Sequence, residues 1–114
     1  MHHILLAEDS DLIIRHLQLL LVKSGHRVSV ARTKTEALEL LTQHRFQYAL
    51  LDIKFHNDHD GLDIAKAARQ AGETKIIFIS AYSDQRTMAL AKELDPLAYL
   101  LKPIDEAQLL QLLK

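Results

Sequence analysis

Short apolar segments alternate along the chain with longer segments in which apolar residues recur at helical spacing. Five segments of four or five residues are almost continuously apolar, at residues 4–7, 28–31, 48–51, 75–79 and 98–101. Continuous apolar runs of this length are typical of parallel strands whose two faces are both buried. The pattern therefore predicts five buried strands.

A helical pattern follows each predicted strand. The first covers residues 11–24, and its predicted apolar face consists of Ile13, Leu17, Leu20 and Leu21. A spacing of three or four residues between apolar positions places them on one side of a helix. This helix is predicted to pack that side against the sheet.

The start of the second helix carries a capping-box pattern, in which Thr33 precedes Glu36 by three residues. Such a pair satisfies amide groups that the first helical turn leaves without partners. The third and fourth helices are predicted at about residues 61–71 and at residues 84–94. Asp105 is the predicted cap of a short fifth helix.

Strict alternation of strands and helices predicts an α/β fold. Parallel strands need crossover connections, so the helices are expected on both faces of a doubly wound, five-stranded parallel sheet. A length of 114 residues with 48% hydrophobic residues suits one domain that covers residues 1–114.

Composition excludes several classes of function. The formal net charge of -1 gives no reason to expect direct binding to nucleic acid. The chain has no cysteine, which excludes disulfides, zinc-thiolate sites and thiol catalysis. Its apolar runs are too short to insert into a membrane. These features favour a cytoplasmic location.

Polar residues follow four of the five predicted strands. Ligands bind outside the carboxyl ends of the strands in an open parallel sheet, so these residues are expected to meet at one edge. They are Glu8 and Asp9 after the first strand, Asp52 after the third, Ser80 after the fourth and Lys102 after the fifth.

Carboxylates that lie close together repel one another, and a bound cation relieves this repulsion. At roughly 4 Å and an effective dielectric constant near 20, each carboxylate pair costs about 4 kcal/mol. An open site with few carboxylates suits Mg2+, which keeps several waters and binds phosphate oxygens. A carboxylate in such a site can act as a nucleophile toward phosphorus. The cluster therefore predicts phosphoryl chemistry, with one of its carboxylates as the acceptor.

Over nearly its whole length the chain resembles the response-regulator receiver domain of two-component signalling. The matching segments are residues 5–9 (LLAED), 48–53 (YALLDI), 60–61 (DG), 76–81 (IIFISA) and 99–103 (YLLKP). The resemblance implies a flavodoxin-like sheet with strand order 2-1-3-4-5. It also implies a phosphorylation-dependent signalling module and not an enzyme, with weak autophosphatase activity.

Roles for individual residues follow from this resemblance. Asp52 is the phosphoacceptor, Ser80 and Lys102 contact the phosphoryl group, and Tyr99 joins Ser80 as a switch residue. Mg2+ is held by Glu8, Asp9, Asp52 and the main-chain carbonyl of Lys54. The Lys102–Pro103 peptide bond is expected to be cis.

The partners implied by the resemblance are a histidine kinase or histidine phosphotransfer protein and a downstream protein or output domain. The output partner is expected on the face formed by the fourth helix, the fifth strand and the fifth helix. A phosphorylation-dependent homodimer is also compatible with the family.

The segment between Asp52 and Asp60 departs from the family pattern. It lacks the proline common there and is about one residue longer, and Lys54 adds a cation close to the acceptor. Two histidines, His56 and His59, lie in the same segment and resemble a transition-metal loop. Their local spacing favours a solvated loop.

Two other functions need sequence features that this chain lacks, and two further alternatives stay open. An aspartyl phosphatase typically has a second aspartate at the position of Lys54, and a flavodoxin-like cofactor binder needs a phosphate loop where Glu8 and Asp9 lie. A receiver-like interaction module without phosphorylation is a further alternative, as is a receiver domain excised from a hybrid kinase or a longer regulator.

Overall fold

The computed structural model of the chain describes residues 1–53, 60–81 and 85–114. In these residues five strands alternate with five helices. The elements are β1 (His3–Ala7), α1 (Asp11–Lys23), β2 (Arg27–Ala31), α2 (Lys34–Gln43), β3 (Tyr48–Asp52), α3 (Asp60–Ala71), β4 (Lys75–Ser80), α4 (Gln85–Lys92), β5 (Ala98–Leu101) and α5 (Glu106–Leu112).

All five strands join one parallel sheet in the order β2-β1-β3-β4-β5. The predicted fold class and strand order are confirmed. The register places Ala7 beside Leu51, Asp52 beside Ile79 and Ser80 beside Leu101. The carboxyl ends of the four strands β1, β3, β4 and β5 therefore meet at one edge of the sheet.

A separate apolar core covers each face of the sheet. On one face Leu5, Leu51 and Phe78 pack with buried residues of α2, α3 and α4. On the other face Leu6 and Leu50 pack with buried residues of α1 and α5. Successive strand residues point to opposite faces, so a strand buried on both sides must be apolar throughout. This requirement explains the uninterrupted apolar runs.

The buried face of α1 differs from the predicted one. Leu17 and Leu21 are fully buried as expected, but the third buried position is Ile14. Ile13 and Leu20 are only partly buried at the side of the contact. The sequence offers apolar residues over more than half of this helix, and only packing against the sheet selects the side that is buried.

The helix caps lie where the sequence pattern predicts them, but helix α4 ends earlier than predicted. The side chains of Thr33 and Asp105 accept hydrogen bonds from the amides of Glu36 and Gln108. Helix α4 ends at Lys92 and not at residue 94. Asp95 has a φ of 50° and Pro96 follows it, so the backbone leaves the helix in a tight turn. Residue 84, the predicted start of α4, lies outside the described residues.

Among the described residues, no helix combines the length and the apolarity that a bilayer span requires.

Candidate functional site

Four strand ends place polar side chains at the carboxyl edge of the sheet. Glu8 and Asp9 follow β1, Asp52 ends β3, Ser80 ends β4 and Lys102 follows β5. Glu8, Asp52 and Ser80 are buried, whereas Asp9 is exposed. The predicted convergence of these residues therefore occurs, with Asp9 on the solvent side of the cluster.

The turn between β1 and α1 holds Glu8. Its Oε1 atom accepts hydrogen bonds from the amides of Asp9, at 3.1 Å, and Ser10, at 3.2 Å. The Ser10 side chain in turn caps α1 by accepting a hydrogen bond from the amide of Ile13. The same short turn thus begins the helix and fixes the Glu8 carboxylate inside the site, where only 1% of the residue is exposed.

Lys102 connects the carboxylates of two strands. Its Nζ atom lies 3.0 Å from Glu8 Oε2 and donates a hydrogen bond of 3.2 Å to Asp52 Oδ2. The backbone also fixes this residue, because the Lys102 amide donates to the Ser80 carbonyl at 2.8 Å. The Lys102–Pro103 peptide bond is cis. The lysine therefore neutralises part of the negative charge between β1 and β3.

The Glu8 carboxylate keeps an oxygen without an aligned hydrogen bond. Glu8 Oε2 is buried and approaches Lys102 Nζ as an ion pair, but no hydrogen bond satisfies it. A buried carboxylate oxygen without a hydrogen bond has a large desolvation cost, and a further cation would offset that cost.

Burial and neighbouring charges shift the pKa values of both Glu8 and Lys102. Burial raises the pKa of Glu8, and the neighbouring Asp52 carboxylate raises it further, against the opposing effect of Lys102. Burial by itself lowers the pKa of Lys102, but Glu8 and Asp52 more than offset this, so the pKa is raised. The site thus keeps its lysine charged and holds an excess of acidic groups around it.

Three carboxylates have a geometry that suits a metal ion. Glu8, Asp9 and Asp52 each offer an oxygen atom, and these three atoms all lie within 4.8 Å of one another. An all-oxygen set that includes an exposed residue suits a hard cation that keeps part of its water shell, as Mg2+ does. The buried Glu8 Oε2 atom supports the same conclusion. The residues therefore fit Mg2+.

The other predicted site residues lie around this cluster or outside the described chain. Ser80 lies one position past Ile79, the register partner of Asp52. In the strand register Tyr99 of β5 pairs with Phe78 of β4, two positions before Ser80. The ring centroids of Tyr99 and Phe78 lie 6.4 Å apart. Lys54 and the histidines of the following segment lie outside the described residues.

Two features of the site were not predicted from the sequence. One is the contact of Lys102 with Glu8, a pairing between residues far apart in the chain. The other is the position of Gly61, whose backbone lies directly against Asp52 and Ile53 at the end of β3. The glycine was visible in the sequence as part of the 60–61 motif, but its contact required the packing of α3 on β3.

Comparison with known families gives one match over almost the whole chain. A family model described as the response regulator receiver domain matches residues 4–114. Among curated proteins, the transcriptional regulatory protein AfsQ1 of Streptomyces coelicolor is 31% identical over 104 residues, which is 91% of this chain and 46% of that protein. TorR of Escherichia coli is 28% identical over 108 residues, 95% of this chain and 46% of that protein. The chain spans about half the length of these relatives.

Solved structures show the same similarity in three dimensions. A CheY-like response regulator receiver domain protein from Methanospirillum hungatei has a TM-score of 0.88 and 27% identity, with 97% of this chain and 89% of that one covered. The receiver domain of a modulated diguanylate cyclase from Desulfovibrio desulfuricans has a TM-score of 0.91 and 29% identity, with 99% and 90% covered.

Proposed function

The chain belongs to the response regulator receiver domain family, and from this premise we propose that it accepts a phosphoryl group on Asp52. Response regulators are signalling proteins, and the chain is a phosphorylation-dependent signalling module of this kind.

The observation that carries this proposal is the arrangement around Asp52. Its Oδ2 atom accepts a hydrogen bond from Lys102, and its carboxylate shares the site with Glu8 and Asp9. A carboxylate at a strand end, with a charged lysine on one side and an acidic pair that fits a metal ion on the other, suits nucleophilic attack on phosphorus. Lys102 is then placed to pair with the charge that the phosphoryl oxygens bring.

The transfer forms one bond and breaks one. An Asp52 carboxylate oxygen attacks the phosphorus of the donor, and the bond from phosphorus to the donor nitrogen or oxygen breaks, with its electron pair leaving on the donor. Glu8, Asp9 and Asp52 would hold Mg2+, which supplies charge neutralisation for the phosphoryl oxygens when bound. Ser80 is proposed to donate a hydrogen bond to one of these oxygens. Slow hydrolysis of the resulting acyl phosphate would end the signal.

Receiver domains interact with histidine kinases and output domains. For this chain we propose a histidine kinase or histidine phosphotransfer protein as the donor, and a partner that binds the face formed by α4, β5 and α5. Three large apolar side chains support the second assignment, because Met88, Leu97 and Leu101 are 39%, 44% and 48% exposed on or beside α4 and β5. A second copy of the chain is another candidate for this face.

The proposed function is tested by phosphorylation in the absence of any kinase. The purified chain is incubated with acetyl phosphate, with and without Mg2+, and its intact mass is measured. We expect the addition of one phosphoryl group that requires Mg2+, is stable in acid and is lost in base. A chain that stays unmodified would instead favour a receiver-like interaction module that works without phosphorylation.

Replacement of Asp9 by asparagine is expected to weaken Mg2+ binding at least about tenfold, or roughly 1.4 kcal/mol. The variant removes a charged ligand from the three-carboxylate set while leaving the buried Glu8 in place. Titration calorimetry of the metal-free chain measures the affinity. Asp63→Asn is the matched control, because it removes an acidic charge of α3 that pairs with Lys34. Equal Mg2+ affinities of the two variants would contradict the proposed ligand set.

A further inference from the structure

Gly61 lies closer to the end of β3 than any other residue type would permit. A Cβ atom built on it would lie 2.5 Å from the carbonyl oxygen of Asp52 and 2.5 Å from the Cα atom of Ile53. Ordinary contact begins at 3.4 Å, so even a methyl group would be about 0.9 Å too close. Both contacts are with backbone atoms, and no side chain can rotate away to make room.

Backbone conformation does not explain the glycine. Among the described glycines only Gly25 has a positive φ, of 91°, and Gly61 therefore has a conformation that alanine can adopt. Gly61 is required for the close approach of two chain segments, and not for a turn.

Hydrogen bonds hold both segments in place. The Gly61 amide donates to the Ile53 carbonyl at 3.0 Å, which fixes the start of α3 on β3. On the other side, the Ile53 amide donates to the Ile79 carbonyl at 3.2 Å, which fixes the end of β3 on β4. Further along α3, three residues are fully buried: Ile64, Ala65 and Ala68. A side chain at Gly61 would therefore have to displace the start of the helix or the backbone that carries Asp52.

We infer that Gly61 is a positioning residue that sets the place of the Asp52 carboxylate relative to Lys102 and to the acidic pair of Glu8 and Asp9. This inference rests on the proposed function, because it takes Asp52 as the phosphoacceptor. The hydrogen bond from Lys102 Nζ to Asp52 Oδ2 is 3.2 Å long, and a shift of the size that the Cβ demands is enough to break it. Displacement of a reacting group by about 1 Å lowers reaction rates by about 100-fold.

The experiment compares three variants of the full chain. Gly61→Ala inserts the obstructing methyl group. Gly72→Ala inserts a methyl group just after the same helix, at a glycine where a Cβ would meet no atom within 4 Å. Ile64→Val removes a methylene from the buried side of the same helix, and so lowers stability without adding an atom against Asp52.

Three quantities are measured for each variant: the rate of labelling by acetyl phosphate, the Mg2+ affinity, and the amide NMR shifts of the metal-free chain. For Gly61→Ala we expect labelling slowed by about 100-fold and Mg2+ affinity lowered at least about tenfold. We also expect displaced amide resonances of Asp52 and Ile53. Gly72→Ala is expected to match the wild type in all three measurements. Ile64→Val is expected to lower the melting temperature while retaining wild-type labelling and Mg2+ affinity.

Two results would overturn the inference. One is a Gly61→Ala variant that labels and binds Mg2+ as Gly72→Ala does. The other is an Ile64→Val variant that loses as much labelling and Mg2+ affinity as Gly61→Ala, because the glycine would then serve stability alone. Should Gly61→Ala be too unstable to measure, it is combined with Gly72→Ala, which stabilises the folded chain by restricting the unfolded one.

The same measurements separate this inference from the proposed function. A wild-type chain that takes up no phosphoryl group would refute the assignment of Asp52 as the acceptor. The Mg2+ titration and the metal-free amide shifts would still decide whether Gly61 positions the Asp52 carboxylate.

Discussion

The Asp52→Asn variant is expected to take up no phosphoryl group from acetyl phosphate under conditions that label the wild type completely. An amide oxygen is a far weaker nucleophile than a carboxylate, and a neutral side chain no longer pairs with Lys102. Intact-mass spectrometry measures the modification, and peptide mapping of the wild type locates it.

The buried Glu8 carboxylate is poorly placed to replace Asp52. Glu8 is only 1% exposed, and its Oε1 atom already accepts two amide hydrogen bonds. Asp9 lies at the exposed side of the cluster. Asp63→Asn serves as the control, because it makes the same chemical change at a partly exposed position of α3 and is expected to label like the wild type. A singly phosphorylated Asp52→Asn chain would show that the acceptor is another residue.

Ser80→Ala is expected to keep phosphorylation on Asp52 but to lose most of the conformational response. The Ser80 side chain is fully buried at the end of β4, next to the strand that carries Asp52. A phosphoryl group adds about two negative charges and three acceptor oxygens to this edge. Without the hydroxyl donor, the movement of β4 toward the new oxygens has no attractive interaction to drive it.

The strand register supplies a route from Ser80 to Tyr99. Ser80 pairs with Leu101 across β4 and β5, and Phe78 pairs with Tyr99 two positions earlier. Because side chains alternate along a strand, Ser80, Phe78 and Tyr99 share one face of the sheet. Tyr99 packs partly against the core cluster of that face, which also contains Ala91 of α4. We therefore expect a shift at Ser80 to be transmitted along this face to the proposed partner surface.

Amide NMR with the beryllofluoride mimic of the phosphoryl group measures this response. In the wild type, shifts are expected to spread from Asp52 through Ser80 to Tyr99 and α4, whereas in Ser80→Ala they should stay within the acidic site. Ser29→Ala is the control, because it deletes a strand hydroxyl at the far edge of the sheet, where Ser29 contacts His3. A phosphoryl group can change partner affinity only through such a differential interaction, and a typical coupling amounts to about 5–150-fold. Distant shifts in Ser80→Ala equal to those of the wild type would refute the proposed coupling.

The fold, and the grouping of the strand-end residues at one edge of the sheet, could be predicted from the sequence. Strands buried on both faces must be apolar throughout, so β1, β3 and β4 were visible as continuous runs. Parallel strands end at the same edge, so the residues after each run could be grouped without coordinates. Helix caps such as Thr33 were equally predictable, because a capping interaction involves residues only three positions apart.

The contacts among these grouped residues could be read only from the tertiary structure. Glu8, predicted as a metal ligand, is buried and contacts Lys102 as well, a pairing set by the order of β1, β3 and β5 in space. The choice of Ile14 over Ile13 as a buried residue of α1 depends on the angle at which the helix meets the sheet. The need for Gly61 depends on how closely α3 approaches β3. These features are contacts between segments that are distant along the chain, and their geometry is fixed by packing to within about an ångström, which no local pattern in the sequence encodes.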